Sequence, residues 1–172
     1  MYRYLYVGYL GIIASIRSSM IASKQEWGQT AWTFMHVIAC KIKQKEFPTQ
    51  KEAIINIIKG ICSNVPCPSC RSHAEIQMRQ LNPGSIRSKK DMIDMLMDFH
   101  NKVNVRTQKR VFTKGEMKIY ETMSTGVVVK KFLATWYSGS STPRLMMDTF
   151  ARVNFLHSVQ KYFDDHHMAY DP

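Results

Sequence analysis

Pro66-Cys67-Pro68-Ser69-Cys70-Arg71-Ser72-His73 sets two thiols three positions apart, with one proline ahead of the pair and another inside it. A Cys-x-x-Cys of this kind either closes a small redox-active disulfide or supplies half of a zinc site. The flanking sequence decides which fold it sits in. Asn64-Val65-Pro66 ends one helical pattern. Pro68, a favoured first-turn residue, opens another that runs through Ala74, Ile76 and Met78 to Leu81, and Asn82-Pro83-Gly84 closes it. Cys67 therefore falls at a helix N-terminus, where the helix dipole and free amides favour a thiolate. Arg71 and His73 add positive character, and Cys70 lies one turn inside, close enough to pair with Cys67.

Helical spacing continues in both directions. Upstream, Trp27, Ala31, Trp32, Met35, Ile38, Ala39 and Ile42 recur with that period from about Glu26 to Lys45. Trp32 and His36 share a face, and Gly28, one turn earlier, leaves that face open. Phe47-Pro48 breaks this helix, and Thr49-x-x-Glu52 reads as the capping box of a second, which carries Ile54, Ile55, Ile57, Ile58 and Ile61. Cys40 and Cys62 fall within these patterns and read as small core residues. Downstream, Ser88-x-x-Asp91 opens a helix with Met92, Met95, Leu96 and Phe99, which runs into the polar group His100-Asn101-Lys102-Val103-Asn104. Two amides and an imidazole at a helix end suit a polar ligand better than a plain core. Thr113-x-x-Glu116 opens a fifth helix to about Met123, presenting Met117 and Tyr120.

The rest reads as a helical tail. Val129, Phe132, Leu133 and Trp136 keep the spacing. After the linker Ser138-Gly139-Ser140-Ser141-Thr142-Pro143, so do Met146, Phe150, Val153, Leu156, Val159 and Phe163, while Asp164 to Pro172 reads as frayed. These apolar stripes must be buried, either back on the bundle or at an interface. No strand pattern appears, so the expected class is all-α.

At 172 residues and 45% hydrophobic content, the chain suits one ordinary domain rather than disorder. Its net charge of +11 attracts phosphates of any kind: nucleic acid, lipid headgroups or a phosphorylated cofactor. Four cysteines are too few for a disulfide-stapled secreted mini-domain. The most apolar stretch, Leu5 to Ile16, is short of the ~20 residues that span a bilayer, so no stable membrane span is expected. Set between Arg3 and Arg17, it has the outline of a signal peptide without a clear cleavage site. Residues 1–25 are taken as an N-terminal segment of uncertain role.

Zinc would need four ligands. Cys67, Cys70 and His73 with His100 or His36 could supply them, which leaves a zinc-stabilised basic nucleic-acid-binding module as the alternative. Against it, there is no second Cys-x-x-Cys and no His-x-x-x-His. A thioredoxin-like fold would need a strand before the pair, and the flanks are helical.

Taken together, Trp27-Gly28, Trp32 and His36, then Cys67, Cys70 and His73, then His100, Asn101, Val103 and Asn104 resemble the Erv/ALR family of FAD-linked sulfhydryl oxidases, block by block and in order. The resemblance implies a compact four- to five-helix bundle over residues 26–124 that holds FAD, with a helical C-terminal extension over 125–172. Catalysis would fall to Cys67 and Cys70, with Cys67 facing the substrate and Cys70 the flavin. Cofactor binding would fall to Gly28, Trp32, His36, His73, His100, Asn101, Val103, Asn104, Lys109 near the phosphates, and Tyr120 near the adenine. Oxygen would be the electron acceptor and hydrogen peroxide the product, with no metal and no requirement for nucleic acid. No cysteine follows Cys70, so the usual staple and shuttle pairs are missing. The expected substrate is then a separate thiol-containing redox relay protein. The cysteine-poor core and long tail resemble the branch of the family found in large DNA viruses, which implies host cytoplasm or virion. A homodimer is expected from the same resemblance.

Overall fold

The computed structural model describes residues 23–137 and 146–172, with the side chains of the last helix from residue 150 onward. The expectations for Leu5 to Ile16 and for the 138–143 linker lie outside the described residues. Among these residues the architecture is helical throughout, with one isolated antiparallel bridge between Ile42 and Tyr170. The helices are α1 (Lys24–Lys41), α2 (Phe47–Ser63), α3 (Pro68–Gln80), α4 (Lys89–Arg106), the short α5 (Lys118–Glu121), α6 (Thr125–Tyr137) and α7 (Met146–His166).

Local chemistry explains most boundaries. Ser23 and Glu26 close a capping box at α1, and Ser88 and Asp91 do the same at α4. Cys67 is the N-cap of α3, with Pro68 in the first turn. The expected Thr49–Glu52 box does not form. Glu46 is the N-cap of α2 and makes no side-chain cap bond, so Pro48 falls in the first turn. There its missing N–H costs nothing and its fixed φ starts the helix early, leaving Thr49 already inside it. The first helix stops at Lys41 rather than Lys45, because Ile42 turns extended to pair with Tyr170. Thr113 and Glu116 do form a capping box, but the segment it opens is a 3-10 turn, Lys114–Met117, followed by the single α turn of α5.

α1 is the central element. Its Phe34, Met35, Ile38 and Ala39 are buried in one core with the isoleucines of α2 and with Met92, Leu96 and Phe99 of α4. α6 and α7 share that core. The Phe132 ring stacks on Phe34 at 4.2 Å between centroids, Phe163 meets Phe34 edge-on at 5.7 Å, and the Trp136 indole N–H donates to the Trp27 carbonyl at 3.2 Å. Gly60 lets α7 approach α2: a Cβ there would lie 2.3 Å from Phe155 Cε2. The tail thus packs back onto the bundle. Its periodicity misplaced one turn, since Phe150 is exposed while Arg152, on the opposite side of the helix and in line with Leu156, is buried.

The C-terminus is ordered rather than frayed. Lys43 N–H donates to the Ala169 carbonyl at 2.9 Å and Asp171 N–H to the Lys41 carbonyl at 2.8 Å, so the chain end straps the α1–α2 turn. Tyr162 donates to Gln50 Oε1 at 3.0 Å and lies 2.8 Å from the buried Tyr170 hydroxyl. Among the described residues, no helix is long and apolar enough to cross a membrane.

Candidate functional site

α1 and α4 run antiparallel, and their register brings the predicted site residues together. Trp32 stacks on His100 with centroids 4.1 Å apart and planes 5° from parallel. His36 Nε2 lies 3.0 Å from His100 Nδ1, and Tyr120 stacks on the other side of His36 at 4.7 Å. Carried toward the open ends of the two helices, the same register brings Gly28 to the level of Val103 and Asn104. A Cβ on Gly28 would meet nothing within 4 Å, so this part of the face is open. Val103 is half-buried against the core and Asn104 is buried.

Two further aromatics complete the cluster, and the sequence reading did not single them out for it. Phe112 lies 6.0 Å from His36 and 5.6 Å from His100, and Phe99 meets Trp32 edge-on at 5.0 Å. Phe112 stands in an irregular loop without periodicity, and Phe99 carries the same helical signal as any core residue. The structure also ties Asn101 to the chain itself. Its amide donates to the Phe112 carbonyl at 2.9 Å and accepts from the Phe112 N–H at 2.7 Å. Both ends of the amide bond the Phe112 backbone, so Asn101 holds the loop that carries the Phe112 ring.

Both histidines are neutral. Burial, then the neighbouring His100, pushes His36 down to about 3. Burial, then the charge of Lys109, pushes His100 down to about 4. One hydrogen bond cannot satisfy His36 on both sides. Its Nδ1 is buried and has no partner, and it is the only buried side-chain polar atom so left among the described residues. Such a group costs ~1–3 kcal/mol and asks for an explanation.

The dithiol sits at the N-terminus of α3, with Cys67 as its N-cap and Cys70 in its first turn. Cys67 and Cys70 are half-buried and pack against the main core alongside Trp27, Trp32 and Val103. Both are free thiols, as are the buried Cys40 and Cys62. Burial would raise Cys67, but hydrogen bonds from the Cys70 thiol and the Ser69 hydroxyl, the Cys70 amide and the charge of Lys24 outweigh it and bring Cys67 to about 7. Ser69 Oγ lies 3.3 Å from the Cys67 sulfur. Cys70 moves the other way: burial raises it, and so does the proton it shares with Cys67. The pair is therefore asymmetric, one thiolate backed by one thiol. Cys40 and Cys62 contrast with it, since burial pushes them up to about 11 and about 12.

His73 is not with the cluster. It is exposed, and its Nδ1 lies 2.7 Å from the Ser69 carbonyl, to which it donates. Among the described residues no three His, Cys, Asp or Glu side chains are grouped as metal ligands would be. Lys109 is exposed just past α4, and its backbone N–H donates to the Asn104 carbonyl at 2.8 Å. Two surface grooves, of about 330 and 360 Å³, flank α4 around Asp98 and Lys102; neither is lined by Cys67 or Cys70.

The family model described as Erv1 / Alr family matches residues 29–122. Among curated proteins, the chain is 28% identical over 96 residues to the FAD-linked sulfhydryl oxidase ERV1 of Arabidopsis thaliana, covering 56% of this chain and 50% of that one. It is 28% identical over 88 residues to the mitochondrial FAD-linked sulfhydryl oxidase erv1 of Schizosaccharomyces pombe, covering 51% and 48%. It is 30% identical over 96 residues to the FAD-linked sulfhydryl oxidase of African swine fever virus (isolate Pig/Kenya/KEN-50/1950), covering 55% and 80%. The match thus spans about half the length of the plant and yeast relatives and most of the viral one. No solved structure matches the chain. The matched segment runs from the first turns of α1 to just past α5, so it takes in the dithiol, both histidines and the whole aromatic cluster. On that match, which covers more than half of its length, the chain belongs to the Erv1/Alr family.

Proposed function

We propose that this protein is a flavin-dependent thiol oxidase that forms disulfides in a partner and passes the electrons to oxygen, giving hydrogen peroxide. The observation that carries the proposal is the buried, partnerless Nδ1 of His36, set in an aromatic stack on the helix pair that leads to an activated dithiol. A flat, polar-edged ring system is the kind of ligand such a stack suits. The residues present fit FAD in that sense. Trp32, His36, His100 and Tyr120 offer ring faces, Gly28 leaves open space, Val103 and Asn104 line the same level, and Lys109 offers charge for the phosphates. Asn101 contributes through Phe112, and His73 through the carbonyl of Ser69 in the first turn of α3.

The chain's own chemistry is thiol–disulfide exchange. In the oxidised protein, a partner thiolate attacks Cys67 sulfur, the Cys67–Cys70 bond breaks, and Cys70 leaves as a thiolate. The partner's second thiolate then attacks its own sulfur in the mixed disulfide and releases Cys67. The partner loses two electrons and two protons; the Cys67–Cys70 pair gains the electrons, and the protons go to the thiols or to solvent. Cys67 suits the outer role, since its low thiol pKa makes it a good leaving group. When bound, a flavin supplies the acceptor for the electrons of the Cys67–Cys70 dithiol and their onward transfer to oxygen.

The test is direct. Purified protein given FAD should retain it through gel filtration, show flavin absorbance and consume oxygen with dithiothreitol. Cys70→Ser should keep the bound flavin and lose turnover. A folded protein that stays colourless in excess FAD would overturn the proposal.

A further inference from the structure

Cys67 is carried by a short loop, Val65-Pro66-Cys67, between α2 and α3. α2 ends at Ser63, and its C-cap, Asn64, donates its N–H to the Gly60 and Ile61 carbonyls at 3.1 Å. In the loop itself Pro66 has no N–H to give. Cys67 is the N-cap of α3 but makes no side-chain cap bond, so its sulfur is not spent on holding the helix. The Val65 side chain is buried in the main core.

Arg71, the residue after Cys70, ties this loop to α3. Its backbone N–H donates to the Cys67 carbonyl at 2.9 Å, and its side-chain Nε–H donates to the Val65 carbonyl at 3.2 Å. One half-buried residue thus bonds the loop at both of its ends. The first bond belongs to any α-helix. The second reaches back six positions along the chain and needs a donor at the ε position of residue 71.

We propose that Arg71 is a positioning residue for the Cys67–Cys70 pair: its Nε–H bond to the Val65 carbonyl holds the Cys67 loop where the disulfide can re-close. This rests on the thiol-oxidase reading above and adds a residue to it. In that reading the pair opens and closes once per turnover, and while it is open the loop depends on non-covalent ties. A clamp and a disulfide that restrict the same loop each lower the ordering cost of the other. The clamp thereby raises the effective concentration of Cys67 at Cys70 and favours the closed disulfide.

The experiment equilibrates the flavin-loaded full chain anaerobically in glutathione buffers, then counts the Cys67 and Cys70 thiols by acid trapping, alkylation and mass spectrometry. In this exchange the Cys67–Cys70 bond forms and the glutathione disulfide breaks, and two electrons and two protons pass to two glutathione thiols. Methionine matches the arginine stem out to the ε position but carries no donor there, whereas glutamine places an N–H at that position without the charge. Arg71→Met should lower the equilibrium constant for disulfide formation about tenfold, which is about 30 mV toward the oxidising side. Arg71→Gln should stay within about threefold of wild type. Tyr170→Phe, which weakens the fold at the chain end, should leave the constant unchanged. A constant in Arg71→Met within about twofold of wild type would overturn the proposal. So would equal losses in the methionine and glutamine variants, or a loss in Tyr170→Phe as large as in Arg71→Met. Should Arg71→Met fail to fold, the wild type decides by NMR: the Arg71 Hε should exchange with water at least about tenfold more slowly than that of an exposed arginine, in the reduced and the oxidised chain alike. Unprotected exchange would sink the clamp. Absence of dithiothreitol turnover in the wild type would overturn the oxidase reading, and the glutathione constants would still decide the role of Arg71.

Discussion

His36 Nε2 and His100 Nδ1 lie 3.0 Å apart, and whichever ring carries the shared proton, His36 Nδ1 is left buried and unmatched. If His36 donates, its Nδ1 is a bare acceptor. If His100 donates, His36 Nδ1–H is a stranded donor. The stack tolerates this only with both rings neutral, which is what burial enforces.

That neutrality makes stability depend on pH. In the unfolded chain each histidine titrates near its ordinary value; in the folded chain the values fall to about 3 and about 4. Between those limits the unfolded state binds more protons, so stability is complete above pH ~6.5 and is lost as pH falls through the window below it. The loss between pH 6.5 and 5 is on the order of 2 kcal/mol for His36 and less for the more accessible His100. Urea midpoints measured at pH 7, 6 and 5 should fall steadily, and His36→Phe should flatten the series. A wild-type midpoint that stays level to pH 5 would count against the buried neutral pair.

The four thiols should separate by reactivity. Cys67 is near 7, while Cys40 and Cys62 are buried and raised. Brief alkylation of the reduced protein at pH 7, read by peptide mapping, should label Cys67 at least tenfold faster than Cys40 or Cys62. The Cys67 rate should rise with a midpoint near pH 7. Cys70→Ala and Ser69→Ala each remove a donor to the thiolate, so each should move that midpoint upward, Cys70→Ala by more.

The bundle and its caps were legible because they rest on local chemistry: Ser88 with Asp91, Thr113 with Glu116, and Cys67 ahead of Pro68 each act within four residues. The pairing of Trp32 and His36 with His100 was legible as a set of blocks, though not as a geometry. What escaped depends on distant partners. Ile42 leaves the helix because Tyr170, at the other end of the chain, pairs with it. Asn101 is a polar residue in a polar block, and only the fold shows both ends of its amide committed to Phe112. On α7 the spacing gave a helix, but the packing partner set which face was buried, and Arg152 took the place expected of Phe150.

Gly60 should resist substitution. Alanine is the better helix former by ~1 kcal/mol, yet its Cβ would lie 2.3 Å from Phe155 Cε2. The ring must move or α7 must lift, so Gly60→Ala should cost ~1–3 kcal/mol despite its propensity. Phe155→Leu made in the Gly60→Ala background should recover part of the loss, giving a favourable coupling in a double-mutant cycle of thermal or urea unfolding. Simple additivity would mean that the two helices do not meet there.

The C-terminal strap should contribute to the stability of the α1–α2 turn. Tyr170 is buried, its backbone pairs with Ile42, and its hydroxyl joins the chain through Tyr162 to Gln50. Tyr170→Ala should cost ~3–5 kcal/mol by leaving a cavity, and Tyr170→Phe about 1 kcal/mol by removing one buried hydrogen bond. Hydrogen exchange of the Lys43 and Asp171 amides, which bond to the Ala169 and Lys41 carbonyls, should quicken in Tyr170→Ala.

Gln108 ends α4 in the left-handed region with φ of 56°, the one non-glycine residue so placed among the described residues. Its N–H donates to the Val105 carbonyl at 3.1 Å and the next N–H, of Lys109, to the Asn104 carbonyl at 2.8 Å, the paired bonds of a Schellman ending. That ending fixes where the chain leaves α4, and so sets the position of Lys109, whose charge adds to burial in lowering His100. Glycine adopts this conformation without Cβ strain, though the unfolded chain gains freedom. The balance predicts that Gln108→Gly raises stability by ~0.5–1 kcal/mol, while Gln108→Val, β-branched at positive φ, lowers it by more than 1 kcal/mol. Urea denaturation would read both signs. A destabilised glycine variant would mean that the Gln108 side chain itself supports the turn.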